Sequence, residues 1–599
     1  MKSFIILSVL LTVTICNGQN LLPLLQSPPI TVSIPNILVP GDIRFTINAT
    51  VIQYIKSGFH ASTAIELKNA QYPFQLYAGY RSVEAQDPVD KDTIYRLASM
   101  SKMATSLTVM QYVENDYIDL HDEVSDYIEA FDDTTVLQKV NATPYELSTI
   151  ETVAGSKDII VSLPYLSPSE INKLYKKCAG IRLTSTLNGV DVNGIFKIVS
   201  FSPFGDIVTV ELSTDANVTG IFNVSGSFDV LPKLPRNWSP YDYVNVPSNR
   251  SSPFQTSRVY YSEEPSEPVT IRHLLAHTAG FAYPTPVVTA DLISLQTAII
   301  RKRDPSLVRF SVNPSLNMDV VEWTERMSKI PMLFQPGTSW VYGPQVGMAG
   351  AVLLQYERDV AGGESNITLY QIQKRILFDK LNITDAGYFI LDDDPRYLYK
   401  RSNLAHVYTN VDTALLGVPT IVNPRVSAFT NLQDAILPGL QAALIDGANP
   451  TNETNNPLHP IYGSLTPRRL EFGDAGLYMR TDELQRIVTT ISQNGVYNGQ
   501  QIVQQETIQE MLKNQIGDLF VIQSIAPNKN VKWGYGVAVG DQSLSPAPLD
   551  KTSAHWAGAF GGWWYSDRPS NTSFASNTNV LPLVGYQPLI NLIANATNV

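Results

Sequence analysis

A mixed α/β chain interrupted by a β-rich insertion is the fold class this sequence predicts, and three observations carry that expectation. Strand-type patterning stands near both ends, at residues 74–80 and again at 533–539 and 555–565. Helical patterning dominates from 271 to about 487. Between the first strands and those helices, at about 129–266, short alternating strands are set off by turn dipeptides. With 599 residues and 44% hydrophobic content there is ample material for a large core. That length suits two to four domains, or one large catalytic domain carrying an insertion. The net charge of −12 argues against a nucleic-acid backbone as partner.

The elements follow in order. Lys2 precedes an apolar run, Phe4-Ile5-Ile6-Leu7 to Val9-Leu10-Leu11, and small residues surround Gly18. This is the pattern of a secretory signal peptide over 1–18, too short to span a bilayer. A proline-rich lead then gives way to a helix expected at 45–59. The strand at 74–80 follows, with a strand–turn–strand reading over 79–94 punctuated by Asp87-Pro88. From 99 to 113, Met103, Leu107, Met110 and Val113 recur at helical spacing and predict one apolar face, closed by Asn115-Asp116.

In the insertion, Ser167-Pro168-Ser169-Glu170 reads as a capping box opening a short helix that Gly180 would end. Strands are expected at 181–187, 195–201, 207–212 and 221–230, with Asn188-Gly189 and Asn193-Gly194 as turns. Val208, Val210 and Leu212 alternate with Thr209 and Glu211, so one face is buried and the other wet. A proline- and serine-rich return over 232–268 leads back to the main domain.

Export is also expected from N-glycosylation sequons at Asn48, Asn141, Asn217, Asn223, Asn237, Asn249, Asn366, Asn382, Asn452, Asn571 and Asn595. These place the chain outside the cell or in a lumen. Once Cys16 leaves with the signal peptide, Cys178 stands alone, so no intrachain disulfide is expected. No later segment reads as transmembrane; Pro582, Gly585 and Pro588 interrupt the mildly apolar tail.

The chemistry centres on Ser99-Met100-Ser101-Lys102. Ser99 and Lys102, three apart at a helix start, project from one side, and unpaired amides there favour a developing negative charge. A lysine in a partly desolvated site can accept the serine proton. Taken alone, a Ser-x-x-Lys pair is common, and a capping serine beside a surface lysine would explain it.

Further segments support the catalytic reading. Residues 93–102, Thr-Ile-Tyr-Arg-Leu-Ala-Ser-Met-Ser-Lys, resemble the nucleophile motif of the serine β-lactamase and penicillin-binding-protein superfamily, in its class C β-lactamase, D-aminopeptidase and esterase branch. Asp119-Leu120-His121-Asp122-Glu123-Val124 is similar to the acidic turn after the nucleophile helix. The run from Ile271 through His273 and His277 to Gly280 is similar to the helix-to-loop signature. Pro336-Gly337-Thr338-Ser339-Trp340-Val341-Tyr342 resembles the stretch with the catalytic tyrosine, Ala475 to Leu484 a later helix start, and His555-Trp556-Ala557-Gly558 the strand lining the far wall.

The resemblance implies an antiparallel sheet built from both chain ends and flanked by helices, with an all-helical region inserted. The catalytic domain would occupy 19–128 and 267–599, and the β-rich module 129–266. It implies that Ser99 attacks an ester or amide carbonyl of a small-molecule or peptide substrate, with Lys102 and Tyr342 moving the proton and no cofactor. A phenol ionises near pH 10, so an adjacent ammonium is needed to make Tyr342 a useful base. The backbone amides of Ser99 and Ala559 would form the oxyanion hole.

Two departures bear on the substrate. Where the β-lactamases carry an asparagine two residues after the tyrosine, this chain has Pro344, so Gln345 is the candidate replacement. The far-wall strand has Trp556 in place of a cation, with Ala557 and Gly558 beside it, and His555 should face away from Trp556. Both favour an esterase over a β-lactam-hydrolysing or penicillin-binding protein. The other alternative is a catalytically weak glycoprotein with a binding or structural role. His273 and His277, four apart, lack the carboxylate–histidine partners of a metal site, so no metal is expected.

Overall fold

The computed structural model describes, with short interruptions, residues 29–33, 43–162, 178–184, 194–201, 207–211, 219–223, 227–232, 244–245, 259–283, 296–307, 318–410, 429–431, 461–462, 470–521, 532–540 and 553–581. The chain divides into two compact units, Met1–Thr134 with Pro265–Val599, and Thr135–Glu264.

The first unit is built on one antiparallel sheet. Its strands are β1 (Ile30–Ser33), β2 (Ser62–Lys68), β3 (Phe74–Ser82), β4 (Asp87–Pro88), β5 (Lys532–Trp533), β6 (Ala538–Val539), β7 (Ser553–Ala557), β8 (Trp563–Asp567) and β9 (Thr572–Thr578). The spatial order is β1-β3-β2-β9-β8-β7-β6-β5, with β4 paired to β3. The two chain ends meet in the middle, where Thr63 pairs with Thr578 and Lys68 with Ser573. An antiparallel sheet from both ends flanked by helices is the architecture expected above.

Helices cover both faces of this sheet. Side chains alternate across a strand, so Ile65, Leu67, Phe74, Leu76, Trp563, Tyr565 and Phe574 face α1 (Ile43–Lys56), which supplies Ile47, Val51 and Ile55 at a four-residue spacing. Each such buried aliphatic side chain contributes about 1.5–3 kcal/mol. On the opposite face lies α6 (Thr481–Ser492), whose Gln485 amide donates to the Ser573 carbonyl at 2.9 Å.

The helical side contains α2 (Ser101–Glu114), α3 (Ile271–Leu275), α4 (Val320–Ser328) and α5 (Gln345–Asp359), with α5 packed on each of the other three. α2 departs from expectation. Instead of one apolar face, every residue from Ser101 to Tyr112 is buried. Several of its polar side chains therefore bond to backbone, as Thr105 does to the Gly473 carbonyl at 2.8 Å and Thr108 to that of Ala104 at 2.9 Å.

Other boundaries shift for local reasons. Asp87-Pro88 forms strand β4 at the sheet edge, where a proline without an N–H is tolerated. Residues 533–539 and 555–565, each read as one strand, both fold back on themselves. A turn at 534–537 separates β5 from β6, and another at 558–562 separates β7 from β8. β9 was not anticipated, because its sequence TSFASNT is mostly polar although every residue is buried.

The second unit carries an eight-stranded antiparallel sheet ordered Gly220–Asn223, Thr149–Thr152, Asp158–Ser162, Ile207–Glu211, Gly194–Phe201, Cys178–Thr184, Ser227–Pro232 and Pro144–Glu146. Gly180, expected as a helix stop, lies inside the strand Cys178–Thr184. The capping box at 167–170 and the turn dipeptides Asn188-Gly189 and Asn193-Gly194 fall wholly or partly outside the described residues. The chain enters and leaves this unit through paired strands, Val136 standing opposite Glu263.

Candidate active site

Ser99 does not open an α-helix. It is the middle residue of a single 3-10 turn, Ala98–Met100, that precedes α2. Ala98 adopts φ +47°, a left-handed conformation costly for a residue with a Cβ. Three contacts hold it: the Leu97 N–H donates to the Leu477 carbonyl at 2.9 Å, the Met100 N–H to the Leu97 carbonyl at 3.2 Å, and the Ser101 hydroxyl to the Ala98 carbonyl at 2.7 Å. Ser101 also accepts from the Leu477 N–H at 3.1 Å, so the second serine of the motif is a tie between segments. The result is a half-buried Ser99 on a sharply bent, well-anchored turn.

Lys102 lies one turn on, fully buried. Its ammonium donates to the Tyr283 hydroxyl at 2.7 Å and to the Asp474 carbonyl at 3.1 Å, and stands 3.4 Å from the Asp474 carboxylate. It also lies 4.7 Å from the centre of the Tyr342 ring. Tyr342 in turn accepts a hydrogen bond from the Trp556 indole N–H at 3.0 Å, which leaves its own hydroxyl proton free to be directed elsewhere. Ser99, Lys102, Tyr342 and Trp556 thus come from the 3-10 turn, α2, the loop before α5, and β7 respectively.

The far wall approaches closely. A Cβ on Gly558 would stand 2.3 Å from the Leu97 carbonyl oxygen, so only glycine lets the end of β7 meet the Ser99 turn this tightly. Gly558 donates to the Gly562 carbonyl at 2.8 Å, which bends the chain so that Ala559 follows at the turn. Among the described residues, the backbone amides of Ser99 and Ala559 donate to no protein acceptor.

Some expected roles change. Gln345 is fully buried and occupied with backbone: it accepts from the Ala279 N–H at 2.9 Å and donates to the carbonyls of Phe281 at 2.8 Å and Val341 at 3.0 Å. It fastens the 279–281 loop to the Tyr342 segment and has no amide left for a substrate. Trp556 is buried against Trp533 and Tyr342, and its indole N–H is engaged by the Tyr342 hydroxyl. His555 points the other way, towards Trp563, and burial pushes its imidazole down to about 4. Ala557 is half-buried and pairs with Trp563 on the neighbouring strand.

The two histidines of the helix-to-loop segment diverge. His273 takes part in a capping box with Thr270 at the start of α3, and burial pushes it down to about 4. His277, at φ +59°, is enclosed by Trp340, Tyr342 and Trp533 with ring centres 5.1–5.6 Å away. Burial, and then the Lys102 charge, hold it well below the ordinary histidine range.

Two residues at Lys102 escaped the sequence reading. Tyr283 lies three residues past Gly280 with no periodic signal to mark it. Burial, then the charge of Asp474 and the nearby Tyr342, hold its phenol well above the usual range, so it sits beside Lys102 as a neutral hydroxyl. Asp474 had one available signal, a lone carboxylate in the small and apolar run Phe472-Gly473-Asp474-Ala475-Gly476.

The comparisons with known proteins agree with this picture. A family model described as Beta-lactamase matches residues 53–143, the segment containing the Ser99 turn and α2. A lovastatin esterase of Penicillium rubens is 32% identical over 130 residues, 21% of this chain and 26% of the relative. The acyltransferase calJ of Penicillium decumbens is 38% identical over 91 residues, 15% of this chain and 18% of the relative. The chain thus spans about a quarter or less of the length of these curated relatives.

Among solved structures, EstCE1, described as a hydrolase with promiscuous acyltransferase activity, aligns with a TM-score of 0.52 at 17% identity, covering 93% of this chain and 98% of that one. A variant of the simvastatin synthase LovD from Aspergillus terreus aligns at 0.51 and 13% identity, covering 94% and 99%. These two likenesses establish the fold. The family-model match adds a sequence resemblance to the β-lactamases over the segment that holds the Ser99 turn.

Proposed function

We propose that this protein is a serine hydrolase that acts on ester or amide bonds through an acyl-enzyme at Ser99. The observation that carries the reading is the convergence at one turn. Ser99 stands on an anchored, bent backbone, Lys102 is buried one turn below it, Tyr342 lies over the ammonium, and two unpartnered amides flank the turn. Ser99 Oγ attacks the carbonyl carbon, its proton passes to the Lys102–Tyr342 pair, and the carbonyl electrons move onto oxygen facing the Ser99 and Ala559 amides. Collapse expels the alcohol or amine, which recovers the proton, and water or another acceptor then takes the acyl group.

The test is labelling with a fluorophosphonate probe. Wild type should label on the peptide containing Ser99, and Ser99→Ala should not. Equal labelling of both would remove the proposal. Short-chain nitrophenyl esters should turn over faster than a chromogenic cephalosporin, because Pro344 offers no amide, Gln345 is engaged with backbone and Trp556 offers no cation. The relatives' names, an esterase and an acyltransferase, support the same substrate class.

We further infer that the chain is exported with removal of 1–18 and carries N-linked glycans. Asn382 and Asn571 stand exposed at left-handed turn positions, open to modification. Asn48 lies half-buried within α1, with its amide oxygen buried. Asn223 has only its backbone described, in the strand Gly220–Asn223, and Asn141, Asn217, Asn237, Asn249, Asn366, Asn452 and Asn595 fall outside the described residues. Glycosidase treatment of the secreted protein, followed by peptide mapping, tests the assignment.

A further inference from the structure

We propose that Asp474 is a positioning residue of this site: its carboxylate is the counter-ion that keeps Lys102 an oriented ammonium, so that the lysine steers the Tyr342 phenol and does not itself take the Ser99 proton. The inference rests on the acyl-enzyme reading above and deepens it. Lys102 and Asp474 are both fully enclosed and 3.4 Å apart, and an isolated charge at either position would be costly. The same residue holds the lysine twice, since its carbonyl also accepts from the ammonium at 3.1 Å.

The surroundings fix Asp474 in place. Thr105 of α2 donates to the preceding Gly473 carbonyl at 2.8 Å and accepts from the Gln373 amide at 3.1 Å, and Gln373 accepts from Tyr388 at 3.0 Å. From α5, the Gly347 N–H in the first turn faces the carboxylate, where the helix end favours negative charge. A Cβ on Gly347 would lie 2.5 Å from Asp474 Oδ2, so the glycine makes room for it. The titratable groups around Asp474 are Lys102 from α2, Tyr283 from the loop after α3, and Tyr388. Both phenols are held above their usual range, chiefly by burial and further by the Asp474 charge, so neither competes for the role of counter-ion. Burial raises the Asp474 carboxyl to about 6 against the lowering pull of Lys102, which leaves the carboxylate mostly ionised at neutral pH.

The charge state makes the proposal testable. In Asp474→Asn the buried ammonium loses its partner and releases its proton more readily. If Lys102 works as an ammonium, the alkaline limb of the kcat/KM profile for a nitrophenyl ester moves down by at least one pH unit, and activity at a pH above the wild-type limb falls by about tenfold or more. If Lys102 works as a neutral base, the acid limb moves down instead and activity at pH 6 rises, which overturns the proposal. Gly347→Ala serves as the second variant. It displaces the carboxylate while keeping its charge, so kcat should fall with the limbs of the profile unmoved; an unchanged kcat also overturns the proposal. Fluorophosphonate labelling of wild type is measured alongside. Absence of labelling there removes the acyl-enzyme reading itself, and labelling with the wrong pH response removes only the role of Asp474.

Discussion

The two units of this protein hold their sheets together in different ways. In the second unit all hydrogen-bonded neighbours come from one continuous segment, some close in sequence, as Thr149 with Ser162, and others farther apart, as Thr152 with Gly220. In the first, the central pair joins Thr63 to Thr578 across most of the chain. A sheet drawn from one continuous segment can form as soon as that segment exists, whereas a sheet sewn from both ends waits for the whole chain. The insertion is therefore compatible with the first unit because its own entry and exit strands pair, Val136 with Glu263, and close it off.

The largest expected effect breaks this comparison at its weakest point. Ending the chain at residue 568 removes β9, which lies between β2 and β8. The first unit should then fail to fold, while a fragment 135–264 should still unfold cooperatively, both followed by circular dichroism. Conversely, replacing 135–264 with a short Gly/Ser linker should leave Ser99 labelling intact. Loss of labelling in a demonstrably folded deletion would show that the module completes the site.

A smaller effect is expected where the two chain ends meet the nucleophile. Gly558→Ala pushes a methyl into the Leu97 carbonyl and displaces the adjacent Ala559 amide. Loss of such a donor costs about 3 kcal/mol of transition-state stabilisation, so kcat for an ester should drop on the order of a hundredfold. A thermal midpoint close to wild type would place the effect in the site. An unchanged kcat would remove the Ala559 amide from the mechanism.

The smallest effect concerns the sheet itself. Glu66 on β2 is buried, accepting from Tyr77 and from the Gln75 amide at 2.8 Å, and burial raises its carboxyl to about 7. A carboxyl with a raised folded-state pKa binds its proton more tightly when folded. Its contribution is fully present below the unfolded value near 4.5 and is lost as pH rises through about 7. Glu66→Gln cannot ionise, so its stability relative to wild type should increase between pH 5 and 8, on the order of 2–3 kcal/mol. Denaturant unfolding at both pH values reads this directly; a constant difference would contradict it.

How much was legible follows the same division between local and distant. α1 appeared within a few residues of its expected span because its apolar spacing is local. The four strands of the insertion visible as alternating runs were found, although the run at 221–230 resolves into Gly220–Asn223 and Ser227–Pro232. Thr149–Thr152 and Asp158–Ser162 were not among the strands expected. β9 was invisible because its residues are polar and its burial comes from α6 and the strands on either side.

In the candidate site, the sequence by itself determined which residue types are available and in what order. The Ser99–Lys102 spacing, Tyr342 and the Trp556–Gly558 strand could all be named from motifs, because each motif is a short continuous string. Only the tertiary structure decided what those side chains touch. It turned Ala98 into a left-handed residue, tied Ser101 to Leu477, occupied Gln345 with backbone, and set Tyr283 and Asp474 against Lys102. Asp474 is 372 residues from Lys102 along the chain. No local pattern encodes such a contact: it exists because α2 is enclosed on every side, and a lysine buried there must find its counter-charge among whatever segments the fold brings to it.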